Sequence, residues 1–226
     1  MALLSEADVE GYHRDGYLAV TRLADDPDVE WLAHLCSALL ASEAGRRDLA
    51  GPGPATLPQL LYPERREPKV LETSFFDRAT SMGAQLMGRD DLDWFTHFIV
   101  KPASGGASTA WHQDVAYDPV LRRRGCSVWL ALDDATADNG CLRFIPGSHQ
   151  WPVLRHQPVG TDPRAAGMEA VGVDAVTAVN VPARRGSGSV HDHRVLHAAG
   201  PNRTASARRA CIAVGIVPGA AVCASP

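Results

Sequence analysis

Midway along the 226-residue chain stands Trp111-His112-Gln113-Asp114, and late in the sequence a further histidine, His197, is followed eleven residues on by Arg208. A His-x-Asp pair plus one distant histidine supplies two imidazoles and one carboxylate. That donor set is the facial triad of non-haem Fe(II), which leaves neighbouring positions open for a co-substrate and O2. Arg208 adds a fixed cation suited to a carboxylate. In an extended strand alternate residues share a face, so His112 and Asp114 are expected to point together into a barrel interior. Alternation does not choose the third ligand, because His191, His193 and His197 fall in one strand-like run at the same parity.

The elements that must position these groups change character near residue 90. Ser5-x-x-Asp8 reads as a capping box opening a helix that ends near Gly16, and Asp26-Pro27 opens a second helix. Residues 45–68 are rich in proline and glycine and read as an irregular loop, followed by a third helix over about 69–88. From about residue 92, short β-like runs take over: 94–100, 108–112, 127–132, 141–145, 176–181, 189–196 and 210–217. In Ser127-Val128-Trp129-Leu130-Ala131-Leu132 both faces are apolar or small, as in an inner strand. Residues 150–175 read as a second irregular insertion. The expected architecture is mainly β with flanking helices. It forms one domain over 1–226, with a helical part at about 5–88 and a jelly-roll core at about 92–218.

Composition narrows the function classes. A net charge of −4 offers no positive field for nucleic acid, and no stretch approaches the roughly 18 apolar residues of a membrane span. Five cysteines, without any C-x-x-C spacing, argue against a disulfide framework or a structural zinc site. With acidic residues arriving early and no basic and apolar leader pattern, a reducing cytoplasm is the expected compartment. The expected partner is a small molecule.

Three segments carry a resemblance: Trp111-His-Gln-Asp114, Asn139-Gly-Cys-Leu-Arg-Phe-Ile-Pro-Gly-Ser-His149, and Leu196-His-Ala-Ala-Gly-Pro-Asn202 through Arg208-Arg209-Ala210. Together they resemble the phytanoyl-CoA dioxygenase family of Fe(II)- and 2-oxoglutarate-dependent oxygenases, built on a double-stranded β-helix. The resemblance covers most of residues 5–217. It implies His112, Asp114 and His197 as both metal ligands and catalytic centre, His197 being the histidine that precedes the family's Gly-x-Asn turn. It also implies Arg208 rather than Arg209 as partner of the 2-oxoglutarate C5 carboxylate, with Lys101, Thr109 and Trp129 beside the co-substrate.

The cofactors so implied are Fe(II), 2-oxoglutarate and O2, and the products are succinate, CO2 and an oxidised metabolite. Related halogenases have a small residue at the carboxylate position, so Asp114 favours hydroxylation or another oxidation. Two positions depart from the family pattern. Ala199 stands where a serine often contacts 2-oxoglutarate, and His191 stands where an aromatic residue is usual. Short loops and the candidate pocket groups Tyr62, Tyr117, His191 and His193 favour a metabolite of specialised, natural-product biosynthesis. The competing reading is a metal-dependent jelly-roll isomerase or hydrolase, or a binding protein without turnover, using the same two histidines and aspartate.

Overall fold

The computed structural model describes residues 3–41, 57–105, 107–117, 123–159 and 167–219. Helix α1 spans Glu6–Asp15, opened by the reciprocal capping box between Ser5 and Asp8. Gly16 closes it at φ +83°, a conformation open to glycine, and a Cβ there would strike the ring of His149. Strand β1 follows at Tyr17–Val20 and helix α2 at Asp26–Ala41.

The expected loop over 45–68 lies partly outside the described residues. Its described part holds an edge strand, β2 at Gln59–Leu61, and a short 3-10 turn at Pro63–Arg65. The expected third helix is also shorter than the sequence suggests. Residues Pro68–Glu72 form a 3-10 turn, Thr73 accepts from the Phe76 amide as an N-cap, and helix α3 runs only over Ser74–Met87.

The remaining strands are β3 (Asp93–Lys101), β4 (Thr109–His112), β5 (Gly125–Ala131), β6 (Leu142–Phe144), β7 (His156–Pro158), β8 (Met168–Ala170), β9 (Val179–Val181), β10 (Gly188–Asp192), β11 (His197–Ala199) and β12 (Arg208–Ile216). All named pairings are antiparallel. A six-stranded sheet runs β1-β10-β5-β12-β3-β2, and a four-stranded sheet runs β4-β11-β6-β9. Hairpin β7-β8 lies inside the segment that reads as an irregular insertion.

The larger sheet is apolar on both faces because it is covered on both. Cys126, Val128 and Leu130 of β5 pack with Phe98, Cys211 and Ala213 against Val29, Leu32, Cys36, Phe75, Ala79 and Met82 of the helices. The alternate residues Trp129 and Ala131 join Ala210 and Ile212 in a second cluster, facing Leu142, Phe144 and Ala199 of the smaller sheet. Two facing antiparallel sheets with helices outside one of them make a jelly roll. Phe75 and Phe98 are completely buried, and truncating either to alanine is expected to cost about 3–5 kcal/mol.

Candidate metal centre and anion pocket

The smaller sheet brings the two ligand candidates of its strands together. His112 ends β4, His197 begins β11, and the two are register partners, with ring centroids 4.1 Å apart. In both rings Nδ1 is engaged by a carbonyl two residues earlier. His112 Nδ1 lies 2.8 Å from the Ala110 oxygen, and His197 Nδ1 lies 3.1 Å from the Val195 oxygen. A carbonyl only accepts, so Nδ1 must carry the proton, and each Nε2 keeps its lone pair for a metal. Both Nε2 atoms lie 3.5 Å from Asp114 Oδ1. Among the described residues, His112, Asp114 and His197 are the group whose donor atoms lie close enough together, all within 4.8 Å, to share one ion.

Asp114 does not reach this point by strand alternation. Strand β4 stops at His112, and Asp114 is the first residue of a 3-10 turn over Asp114–Tyr117. The intervening Gln113, fully buried, fixes the change of direction. Its side chain donates to the Arg194 carbonyl at 2.7 Å and accepts from the Leu154 amide at 2.9 Å, while its own amide donates to His156 Nε2 at 3.1 Å.

Burial acts to raise the pKa of Asp114, but His197, with His112 and His191, outweighs it and holds the carboxyl well below its usual range. Burial, reinforced by neighbouring His112, depresses His197 far below an ordinary histidine. The donor set is one carboxylate and two imidazoles, groups that bind a metal in their deprotonated forms.

The expectation that His191, His193 and His197 share a strand fails. Asp192 turns the chain between the sheets: its carbonyl accepts from the Val195 amide at 3.0 Å and its Oδ1 from the Arg194 amide at 2.7 Å. His191 therefore belongs to β10 of the larger sheet and His197 to β11 of the smaller. His191 approaches the triad from the opposite wall, with Nε2 3.4 Å from Asp114 Oδ2. Ser127 of β5 donates to that same oxygen at 2.8 Å, a contact that no local sequence pattern signals. His193 is buried beside Gly125, where a Cβ would strike its ring, and burial lowers its pKa.

Two further buried side chains, both cationic, lie between the sheets. Arg208 and Lys101 are register partners on β12 and β3, with exposures of 1% and 0%. Arg208 Nε and Nη1 are buried without a hydrogen-bond partner, and the guanidinium sits 5.2 Å from the centroid of the Trp129 ring. Burial pulls Arg208 down to about 10, which leaves it charged at neutral pH. Lys101 Nζ donates to the Ala107 carbonyl at 2.5 Å and to Thr109 Oγ1 at 3.4 Å. Thr109 is in turn the cross-strand partner of Ala199, so a hydroxyl stands opposite the position that lacks one. Asn202 anchors the strand end by donating to the Lys101 carbonyl at 3.0 Å.

Arg209 faces the other way. It forms a two-point ion pair with Asp133 and donates to the Ala33 carbonyl of α2 at 2.9 Å. The Tyr117 ring meets His112 edge-on at 5.8 Å. Tyr62 packs on Phe95 at 4.9 Å, and His97 Nε2 lies 3.1 Å from Gln59 Oε1.

The family model described as Phytanoyl-CoA dioxygenase (PhyH) matches residues 12–210. Phytanoyl-CoA dioxygenase domain-containing protein 1 of Mus musculus is 32% identical over 120 residues, covering 50% of this chain and 40% of that protein. The match thus spans less than half the length of that curated relative. EvdO2 from Micromonospora carbonacea var. aurantiaca, solved in complex with 2-oxoglutarate, has a TM-score of 0.86 at 35% identity, over 99% of this chain and 94% of its own. The epimerase SnoN, solved with Fe3+, alpha ketoglutarate and nogalamycin RO, has a TM-score of 0.74 at 27% identity, over 93% and 82% of the two chains.

Proposed function

This chain belongs to the phytanoyl-CoA dioxygenase family, and we propose that it is a non-haem Fe(II)- and 2-oxoglutarate-dependent oxygenase acting on a small-molecule metabolite. The observation that carries this reading is a juxtaposition. A His-Asp-His set with both Nε2 lone pairs free lies in the same interior as a buried arginine with two unpartnered nitrogens. The donor set suits Fe(II), and the orphaned guanidinium suits the distal carboxylate of a dicarboxylic co-substrate.

His112, Asp114 and His197 would hold the iron, and Arg208 would pair with the C5 carboxylate of 2-oxoglutarate. Lys101 and Thr109 would contact the same molecule, and Trp129 would wall it. When bound, iron and 2-oxoglutarate supply the oxidising power: with O2 they yield succinate and CO2, and the substrate is oxidised. The chain supplies position and dryness. Tyr17 stacks on Phe144 at 4.4 Å and closes the interior behind His191 and His197, limiting water near the reacting atoms.

A zinc hydrolase could use the same triad but has no need of a buried arginine at this spacing, and a binding protein without turnover would form no succinate. Hydroxylation in specialised metabolism is the outcome we favour. Asp114 occupies the position that halogenases leave small, and one structural neighbour carries nogalamycin RO. The free, buried cysteines Cys36, Cys126, Cys141 and Cys211 fit a reducing cytoplasm. The test is O2 uptake and succinate formation with Fe(II), 2-oxoglutarate and ascorbate, followed by a screen of metabolites for stimulated succinate release. Metal-loaded protein that neither binds 2-oxoglutarate nor forms succinate would sink this reading.

A further inference from the structure

Resting on that reading, we infer that His191 is a positioning residue for Asp114, one that holds the carboxylate to single-oxygen ligation and so keeps an iron position free for O2. The two carboxylate oxygens have different surroundings. Oδ1 faces His112 Nε2 and His197 Nε2, each at 3.5 Å. Oδ2 is turned to the opposite sheet, where Ser127 Oγ donates at 2.8 Å and His191 Nε2 lies at 3.4 Å. An ionised carboxylate only accepts, so the His191 tautomer that serves it carries its proton on Nε2.

His191 is held for this task. It is buried on β10, register-paired with Ser127 on one side and Tyr17 on the other. Its ring packs against Phe144 and His197, at centroid distances of 5.3 and 4.5 Å. A rotation that turned Oδ2 toward His112 and His197 would draw it away from the Ser127 hydroxyl and from His191.

The consequence would be felt at the metal: with iron and 2-oxoglutarate bound, a carboxylate offering both oxygens would take up room that O2 needs. A phenylalanine at 191, the usual kind of residue in the family, would leave Ser127 as the lone donor to Oδ2. Outer-shell partners of metal ligands commonly change metal affinity about 10- to 100-fold.

The test compares the parent with His191→Phe and His191→Gln, the glutamine offering an N–H of similar reach. Two probes are used: Co(II) titration, and nitric oxide binding to protein loaded with Fe(II) and 2-oxoglutarate. The phenylalanine variant is expected to bind Co(II) about tenfold more weakly and to lose nitric oxide affinity. The glutamine variant is expected to stay within about twofold of the parent, since it keeps the donor. Ser127→Ala provides a second arm that does not depend on the phenylalanine variant folding. It should weaken Co(II) binding alone, and adding His191→Gln should weaken it little further, because the glutamine keeps the second donor to the same oxygen. Parent-like binding of both probes by the phenylalanine variant would overturn the inference, as would equal impairment of the phenylalanine and glutamine variants. A parent that binds no Co(II) would instead overturn the oxygenase reading itself.

Discussion

Arg208 and Lys101 sit directly opposite one another on β12 and β3, both essentially without solvent, and neither meets a carboxylate among the described residues. A buried charge without a counter-charge is costly, and two side by side are costlier. Such an arrangement persists where a ligand supplies the missing charge. It is the part of the site least explicable by stability alone.

Arg208→Met is therefore expected to have opposite effects on stability and function. Losing a charge-assisted pair of about 1.5–3 kcal/mol should weaken 2-oxoglutarate binding about 10- to 100-fold. The ligand-free protein should melt about 2 °C or more higher, since an unpaired buried charge is gone. Calorimetric titration and thermal melts with and without 2-oxoglutarate check both halves. Unchanged 2-oxoglutarate affinity would remove Arg208 from the site.

Its sequence neighbour makes the contrast. Arg209 pairs with Asp133 and reaches the Ala33 carbonyl, so Arg209→Met should cost about 1–3 kcal/mol of stability and leave the Michaelis constant for 2-oxoglutarate unchanged. Urea denaturation and steady-state kinetics separate the two. A raised Michaelis constant without loss of stability would reverse the assignment of the pair.

This contrast also marks what the sequence could carry. Strand alternation puts adjacent arginines on opposite faces, but only spacing copied from a family says which face holds the co-substrate. The jelly roll was legible because β5 reads as apolar on both faces, and it is covered on both faces. His112 and Asp114 were legible as a pair but for the wrong local reason, since a 3-10 turn and not a strand brings them together. Alternation failed at His191, His193 and His197 because a turn held by Asp192 carries the chain from one sheet to the other inside a single apolar-looking run. Ser127 was invisible: its role depends on Asp114 arriving from a strand in the other sheet, and no local pattern records that.

Removal of the carboxylate should be the most damaging single change. Asp114→Ala is expected to abolish succinate formation and to eliminate the rise in melting temperature that Co(II) gives the parent, because two imidazoles alone bind far more weakly. Asp114→Asn keeps the shape and loses the charge, so it separates geometry from electrostatics. A cobalt-induced shift in the alanine variant equal to that of the parent would disqualify Asp114 as a ligand.

Acid should loosen the fold through histidines whose pKa values the fold depresses. His97 is pushed down to about 4, chiefly by burial, and His193 and His197 are lowered by the same cause. In the window between each depressed folded value and the unfolded value of about 6.5, the unfolded chain binds more protons. Stability is thus full above that upper limit and falls as pH drops, by about 1.4 kcal/mol per pH unit for each histidine involved. Urea midpoints at pH values on either side of 6 measure the slope, and His97→Phe should make it shallower. A flat profile between pH 7 and 5 would contradict the burial.

Lys101 gives the last prediction, with the window on the alkaline side. Burial, with Arg208 beside it, lowers its pKa to about 7 from an ordinary 10.5. Below the folded value both folded and unfolded chains carry the proton, and the full penalty of a buried cation stands. As pH rises from about 7 to about 10.5 the unfolded chain holds a proton that the folded one has released, so stability rises across that window. Binding of a dianion reverses the depression by returning an opposite charge to the pocket. Association with 2-oxoglutarate above about pH 7 should therefore take up a proton, and affinity should fall by up to tenfold per pH unit. Titration calorimetry at about pH 8.5, in buffers of different ionisation enthalpy, counts that proton directly. Lys101→Met should remove both the proton uptake and the pH dependence, while retaining the weaker binding that Arg208 supports alone. If the proton count is the same in the parent and the methionine variant, Lys101 does not titrate with the co-substrate and its place in the pocket is structural.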